Sequence, residues 1–175
     1  MDKDNINVDL DLKVVDFVTN DTDLKQDDII DKIKDIVYYA CNEEEINAES
    51  VSVSIVSATK EEIRKINKEY RNIDRATDVL SFPIFNKEEL EKLSLSDDAH
   101  KLKEVEFGDI ILCLDVIKEQ SVEYETGVLR ETLYMITHAM CHLLGYDHII
   151  DDEKVVMRAL EEKILSNIGV EKRSD

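Results

Sequence analysis

Three histidines within one run of eleven residues, HAMCHLLGYDH, are the part of this chain best equipped for chemistry: His138, His142 and His148. On a helix, residues four apart lie one above the other, so His138 and His142 can turn their imidazoles toward one point. Gly145 lies three residues on, where glycine accepts the left-handed conformation that ends a helix, and the chain beyond it can bring His148 back to the same point. Three imidazole nitrogens with an open fourth position are a ligand set of catalytic zinc, whereas a structural zinc usually has four protein ligands. Zinc held this way acidifies a water molecule and polarises the bond to be cut. The expectation is one Zn2+ per chain, with another divalent ion as the variant. Asp147 is placed to orient a ligand from behind. Cys141, the competing ligand, points about 100° away from His142 on the helical wheel and is assigned to the core, as is Tyr146 to a packing role.

The elements that must hold these residues follow from periodicity. Val8, Leu10 and Leu12 alternate over Asn7 to Leu12, and Val51, Val53 and Ile55 alternate with serines; both patterns predict half-buried strands. An acidic turn is expected after the first. Ile29, Ile30, Ile33, Ile36, Val37 and Ala40 recur at helical spacing from about Asp27 to Cys41. Thr59 and Glu62 form a capping box that opens a helix with Ile63, Ile66 and Tyr70 inside. Asp78 to Phe85 reads as a strand whose Pro83, the one proline, favours an edge or an end. A short helix plus a solvated acidic loop is expected over Asn86 to Glu106, with the flexible loop at about residues 94–106, where His100 is assigned no role. Without EF-hand spacing, Asp97 and Asp98 are not a calcium site. Phe107 to Leu114 is the fourth strand. Helices are expected from about Asp115, from Thr126 to Leu144, and from Asp151 to Ile168 with Val155, Val156, Ala159, Leu160, Ile164 and Leu165 inside. The fold class is α+β, one domain over residues 1–175 with about four strands in a mixed sheet packed with helices and short flexible termini. The metal site lies on a central helix and the turn after it.

Composition bounds the function. A chain of 175 residues with 43% hydrophobic content is sized and apolar enough for one folded core, despite 36% charged residues. The formal charge of -19 argues against nucleic-acid binding through a broadly basic surface, so any RNA must be met locally. One local basic region exists: Lys60, Arg64, Lys65, Lys68, Arg71 and Arg75 outnumber the four acidic residues between Thr59 and Arg75. Asn67 and Arg71, four apart, can project together toward a cleft; a salt bridge from Arg71 to Asp74 or Asp78 is the alternative. Cys41, Cys113 and Cys141 form no CxxC pair and read as reduced, packed thiols. No basic start with an apolar stretch opens the sequence and no apolar run approaches about 20 residues, so a cytoplasmic protein without a membrane span is expected.

The histidine spacing matches the metzincin peptidases, but Ala139 stands where those enzymes carry their glutamate base. HAMCHLLGYDH instead resembles the signature of the YbeY family of bacterial endoribonucleases, the rRNA maturation factors. The stretch from Tyr70 to Pro83, YRNIDRATDVLSFP, and the strand from Phe107 to Cys113, FGDIILC, are similar to two further family segments. Ala139, Cys141 and Ala76 depart from the family pattern without removing a charged or metal-binding residue. The resemblance implies a zincin-like fold and a zinc-dependent, single-strand-specific endoribonuclease. Its implied task is maturation of the 16S rRNA 3′ end and ribosome quality control. It also implies a catalytic arginine, which falls on Arg71, and rRNA with ribosomal proteins or the small ribosomal subunit as partners. The mechanism expected is attack on a phosphodiester by zinc-activated water while Arg71 neutralises the developing oxyanion. Two other readings compete: a metallopeptidase-like hydrolase, and a non-catalytic metal-binding factor of ribosome assembly whose acidic surface attracts basic ribosomal proteins. The general base and the oligomeric state are not assigned.

Overall fold

The computed structural model describes residues 2–46, 48–94, 102–147 and 151–170. Four strands form one mixed sheet in the order β1 (Ile6–Leu10), β2 (Ala48–Ser57), β4 (Leu102–Leu112), β3 (Val79–Pro83). The first three run parallel, and β3 lies antiparallel to β4 along an edge. Parallel neighbours need long crossovers. Helices α1 (Leu12–Thr19) and α2 (Gln26–Glu43) carry the chain from β1 to β2; α3 (Lys60–Arg71), β3 and α4 (Lys87–Ser94) intervene before β4. Helices α5 (Leu114–Glu123), α6 (Val128–Leu143) and α7 (Asp151–Asn167) complete the α+β fold. Val51, Val53 and Ile55 are all buried, as their period of two requires, in the larger core shared with α1, α2, α6 and α7. A smaller core, Ile63, Leu80 and Cys113, lies under α3. All three cysteines are free and buried. Among the described residues no helix is long and apolar enough to cross a membrane.

Several expectations are corrected. The acidic turn after β1 is helix α1, which buries Val14, Val15 and Val18 completely. Burying three valines contributes on the order of 5 kcal/mol, more than the few tenths per residue by which β-branched side chains disfavour a helix. Strand β4 begins at Leu102, so the expected loop is already strand from there on: Val105 and Phe107 point inward while Glu104 and Glu106 face solvent. Asp97, Asp98 and His100 lie outside the described residues. On α3, Tyr70 is 66% exposed and Asn67 takes the inward position. On α7, Val155 and Val156 are exposed; the buried stripe is Met157, Leu160, Glu161, Ile164, Leu165.

One irregularity controls the edge strand. Between the pairs Ser52 with Glu106 and Ser54 with Asp109, β4 contains one extra residue, a bulge of the kind that bends a strand. Gly108 sits in it with φ +129°, and a Cβ there would lie 2.1 Å from the carbonyl oxygen of Phe82. Only glycine lets β3 close on β4 at this point.

Candidate metal centre and active site

Helix α6 packs against β3 and against α7, and its C-terminus carries His138 and His142. It ends as its sequence suggests. Gly145 has φ +82°; its N–H donates to the His142 carbonyl and the Tyr146 N–H to the Cys141 carbonyl, each at 3.0 Å. This paired pattern is a Schellman stop. The reversal brings the Tyr146 carbonyl onto Nδ1 of His142 at 2.9 Å. Tyr146 in turn donates its hydroxyl to Glu44, and burial followed by that carboxylate pushes its pKa up.

His138 is held differently. Its Nδ1 lies 2.7 Å from Oε1 of Glu161, a buried carboxylate on α7. The Tyr134 hydroxyl makes a long hydrogen bond, 3.5 Å, to the other oxygen of the same carboxylate. Burial, followed by that carboxylate, pushes Tyr134 up to about 12, so it remains a donor.

These anchors determine which way the imidazoles present their lone pairs. A carbonyl only accepts, so Nδ1 of a neutral His142 carries the proton; the Glu161 carboxylate imposes the same tautomer on His138. Both Nε2 atoms then offer lone pairs, and they face each other at 3.2 Å, with the rings at 88°. Two imidazole nitrogens on one tetrahedral zinc stand about 3.3 Å apart when each bond is about 2.0 to 2.1 Å. Two lone pairs at that separation repel unless a cation is shared between them, so the donor set fits a metal ion. His148 lies outside the described residues, and two of the three expected imidazoles are therefore seen to converge. Cys141 is fully buried, with its thiol raised well above its ordinary value by desolvation, and it packs in the core.

The residues behind the imidazoles were partly invisible in the sequence. Glu161 and the Tyr146 carbonyl bond the outer nitrogens of His138 and His142, while the third ring that Asp147 could orient, His148, lies outside the described residues. Glu161 had one signal: it is a carboxylate in the middle of an apolar helical stripe, a place where charge is costly unless paired.

Arg71 enters from the opposite wall. After Arg71, Asn72 adopts the left-handed conformation at φ 58° and the chain doubles back. Buried Asn67 fastens the returning segment by donating Nδ2 to the Arg75 carbonyl at 2.9 Å. The result is a cleft of about 230 Å³ lined by Arg71 and Arg75 on one side and His138 and His142 on the other, with Asp78 and Ser81 between. Asp74 binds Arg64 at 2.8 Å and Lys68 at 2.9 Å, and these two hydrogen bonds hold its carboxyl below its ordinary value. Asp78 accepts from Thr77 Oγ1, the Val79 N–H and Gln120 Nε2. The alternative of an Arg71 salt bridge to either aspartate is thus not realised, and Arg71 is exposed to the cleft.

Comparison with known proteins bears on the family and the fold. A family model described as Endoribonuclease YbeY matches residues 14–169. The Endoribonuclease YbeY of Clostridium botulinum strain Kyoto is 44% identical over 151 residues, covering 82% of this chain and 90% of that protein. Endoribonuclease YbeY of Clostridium perfringens is 38% identical over 160 residues, covering 85% and 92%. The solution structure of TM1509 from Thermotoga maritima shares the fold, with a TM-score of 0.50 over 93% of this chain and 90% of that one at 21% identity. With the family model spanning nearly the whole described chain, this protein belongs to the Endoribonuclease YbeY family.

Proposed function

We propose that this protein is a zinc-dependent, single-strand-specific endoribonuclease that acts in rRNA maturation, at the 3′ end of 16S rRNA, and in ribosome quality control in the cytoplasm. The observation that carries the reading is the shared cleft of Arg71, Arg75, His138 and His142. His138, His142 and His148 are the residues that would hold the ion. The chemistry a divalent ion supplies there is Lewis acidity, giving a more acidic water and a polarised phosphodiester. The chain itself does the rest. Glu161 and the Tyr146 carbonyl keep both Nε2 lone pairs turned inward. Arg71 and Arg75 present planar, permanently charged donors that grip phosphate oxygens and neutralise charge as it develops. The local cations also explain how a chain of net charge -19 meets RNA: the attraction is confined to one cleft, while the acidic remainder repels RNA elsewhere and favours basic ribosomal proteins.

The test is incubation of the zinc-loaded protein with single-stranded RNA, duplex RNA and casein. Cleavage of the single strand alone supports the proposal. Cleavage of casein supports a peptidase instead, and no cleavage of any of the three, with ribosomal proteins still bound, supports a non-catalytic assembly factor.

A further inference from the structure

Beside the histidine cleft, a second cavity of about 280 Å³ opens among α5, α6 and α7. The two adjoin. Asp78 lines both, and Tyr134 and Arg158 of the second also line a depression that reaches His138. The chain has only six arginines, and four of them, Arg71, Arg75, Arg130 and Arg158, line these adjoining spaces. Arginine in this chain is concentrated around the histidine pair.

The second cavity is not built for a bare anion. Glu131 and Glu162 share its wall with Arg130 and Arg158, and carboxylates at that range oppose a phosphate. Interleaved donors and acceptors beside aromatic rings suit a nucleobase, whose edge carries both kinds of group and whose face stacks on tyrosine. Tyr124 and Tyr134 supply the rings, and the Arg130 guanidinium stands 5.6 Å from the Tyr134 ring centre. Gln120 adds an acceptor. Its Nε2 is committed to Asp78 at 2.8 Å, while its buried Oε1 has no hydrogen-bond partner among the described residues; an N–H on a base edge is the complementary group.

We infer that this cavity receives one unpaired base of the RNA strand, from the nucleotide next to the phosphate gripped by Arg71. The inference rests on the RNA reading of the cleft and gives it a source of strand selectivity. A base that remains stacked and paired in a duplex cannot enter a side cavity, whereas a single strand can splay one out.

The experiment is fluorescence anisotropy of the full-length protein with short 2′-O-methyl oligonucleotides, which keep the bases but resist cleavage, with an abasic site moved through each position. Wild type is expected to lose about tenfold in affinity at one position. In the Tyr124→Ala, Arg158→Gln double variant, both of whose sites are exposed, that penalty should vanish. Arg71→Gln should weaken intact and abasic strands alike and keep it. A double variant that retains the full penalty, or a wild type that binds RNA but is indifferent to every abasic site, overturns the cavity assignment alone. A wild type that binds none of the oligonucleotides overturns the RNA reading itself.

Discussion

Glu161 on α7 and His138 on α6 are joined across the helix interface by a 2.7 Å contact between Oε1 and Nδ1. A carboxylate behind a ligating imidazole fixes the ring and raises its basicity, and its removal typically costs about 10- to 100-fold in metal affinity. Glu161→Ala should show a loss of that order in competition with a chelator, and Glu161→Gln, which keeps an acceptor, a smaller one. Equal affinity in all three proteins would remove Glu161 from the site.

Arg71 is exposed and, among the described residues, has no ion-pair partner. Arg71→Ala should therefore leave thermal stability within about 0.5 kcal/mol of wild type. The cleavage rate of single-stranded RNA should fall on the order of 100-fold, as for removal of one oxyanion donor. Arg71→Lys should recover only part, because an ammonium lacks the planar bidentate geometry. An Arg71→Ala protein that cleaves RNA at the wild-type rate contradicts the role.

The convergence of His138 with His142 and the capping of α3 are legible in the sequence because both are local. Thr59 and Glu62 close their box across three residues, and His138 and His142 share a face by helical geometry alone. Glu161 was not legible, since its partner is 23 positions away and the stripe it interrupts was misphased: Val155 and Val156 look apolar but face solvent. Helix α1 was hidden for a related reason. LKVVDFVT has weak helix propensity between acidic residues, and only tertiary burial of its valines selects the helix. The return of Arg75 toward the histidines depends on Asn67, a polar residue whose burial no local pattern announces.

Gly108 supports the site from a distance. Gly108→Ala should destabilise the protein by about 2 kcal/mol or more in urea unfolding, because its Cβ would collide with backbone and its φ is unfavourable for alanine. Gly127→Ala has nothing within 4 Å of the added Cβ, so only its backbone conformation resists, and its loss should be smaller. Equal losses would mean that the contact with β3 is not what Gly108 serves.

Asp11 caps α1 and accepts from Ser57 Oγ at 2.5 Å and from the Lys13 N–H at 3.0 Å. The Ser57 hydroxyl, followed by the Lys13 N–H, holds its carboxyl below the ordinary value. A carboxyl lowered in the folded state stabilises the fold above its unfolded value and loses that contribution as pH falls through the folded one. Asp11→Asn, which keeps the capping oxygen but loses the charge that the Ser57 hydroxyl binds, should accordingly be less stable than wild type near neutral pH, with the gap narrowing in acid. A gap that stays constant across the acid limb would contradict this.

The central claim is that the two Nε2 atoms of His138 and His142, with His148, share one metal ion. Elemental analysis of the full-length protein, purified without chelator, measures this directly when wild type is compared with His138→Ala and His142→Ala. About one divalent ion per chain in wild type, lost in both variants while each stays folded, is the predicted result. A wild type without stoichiometric metal, or variants that keep it in full, would contradict the account.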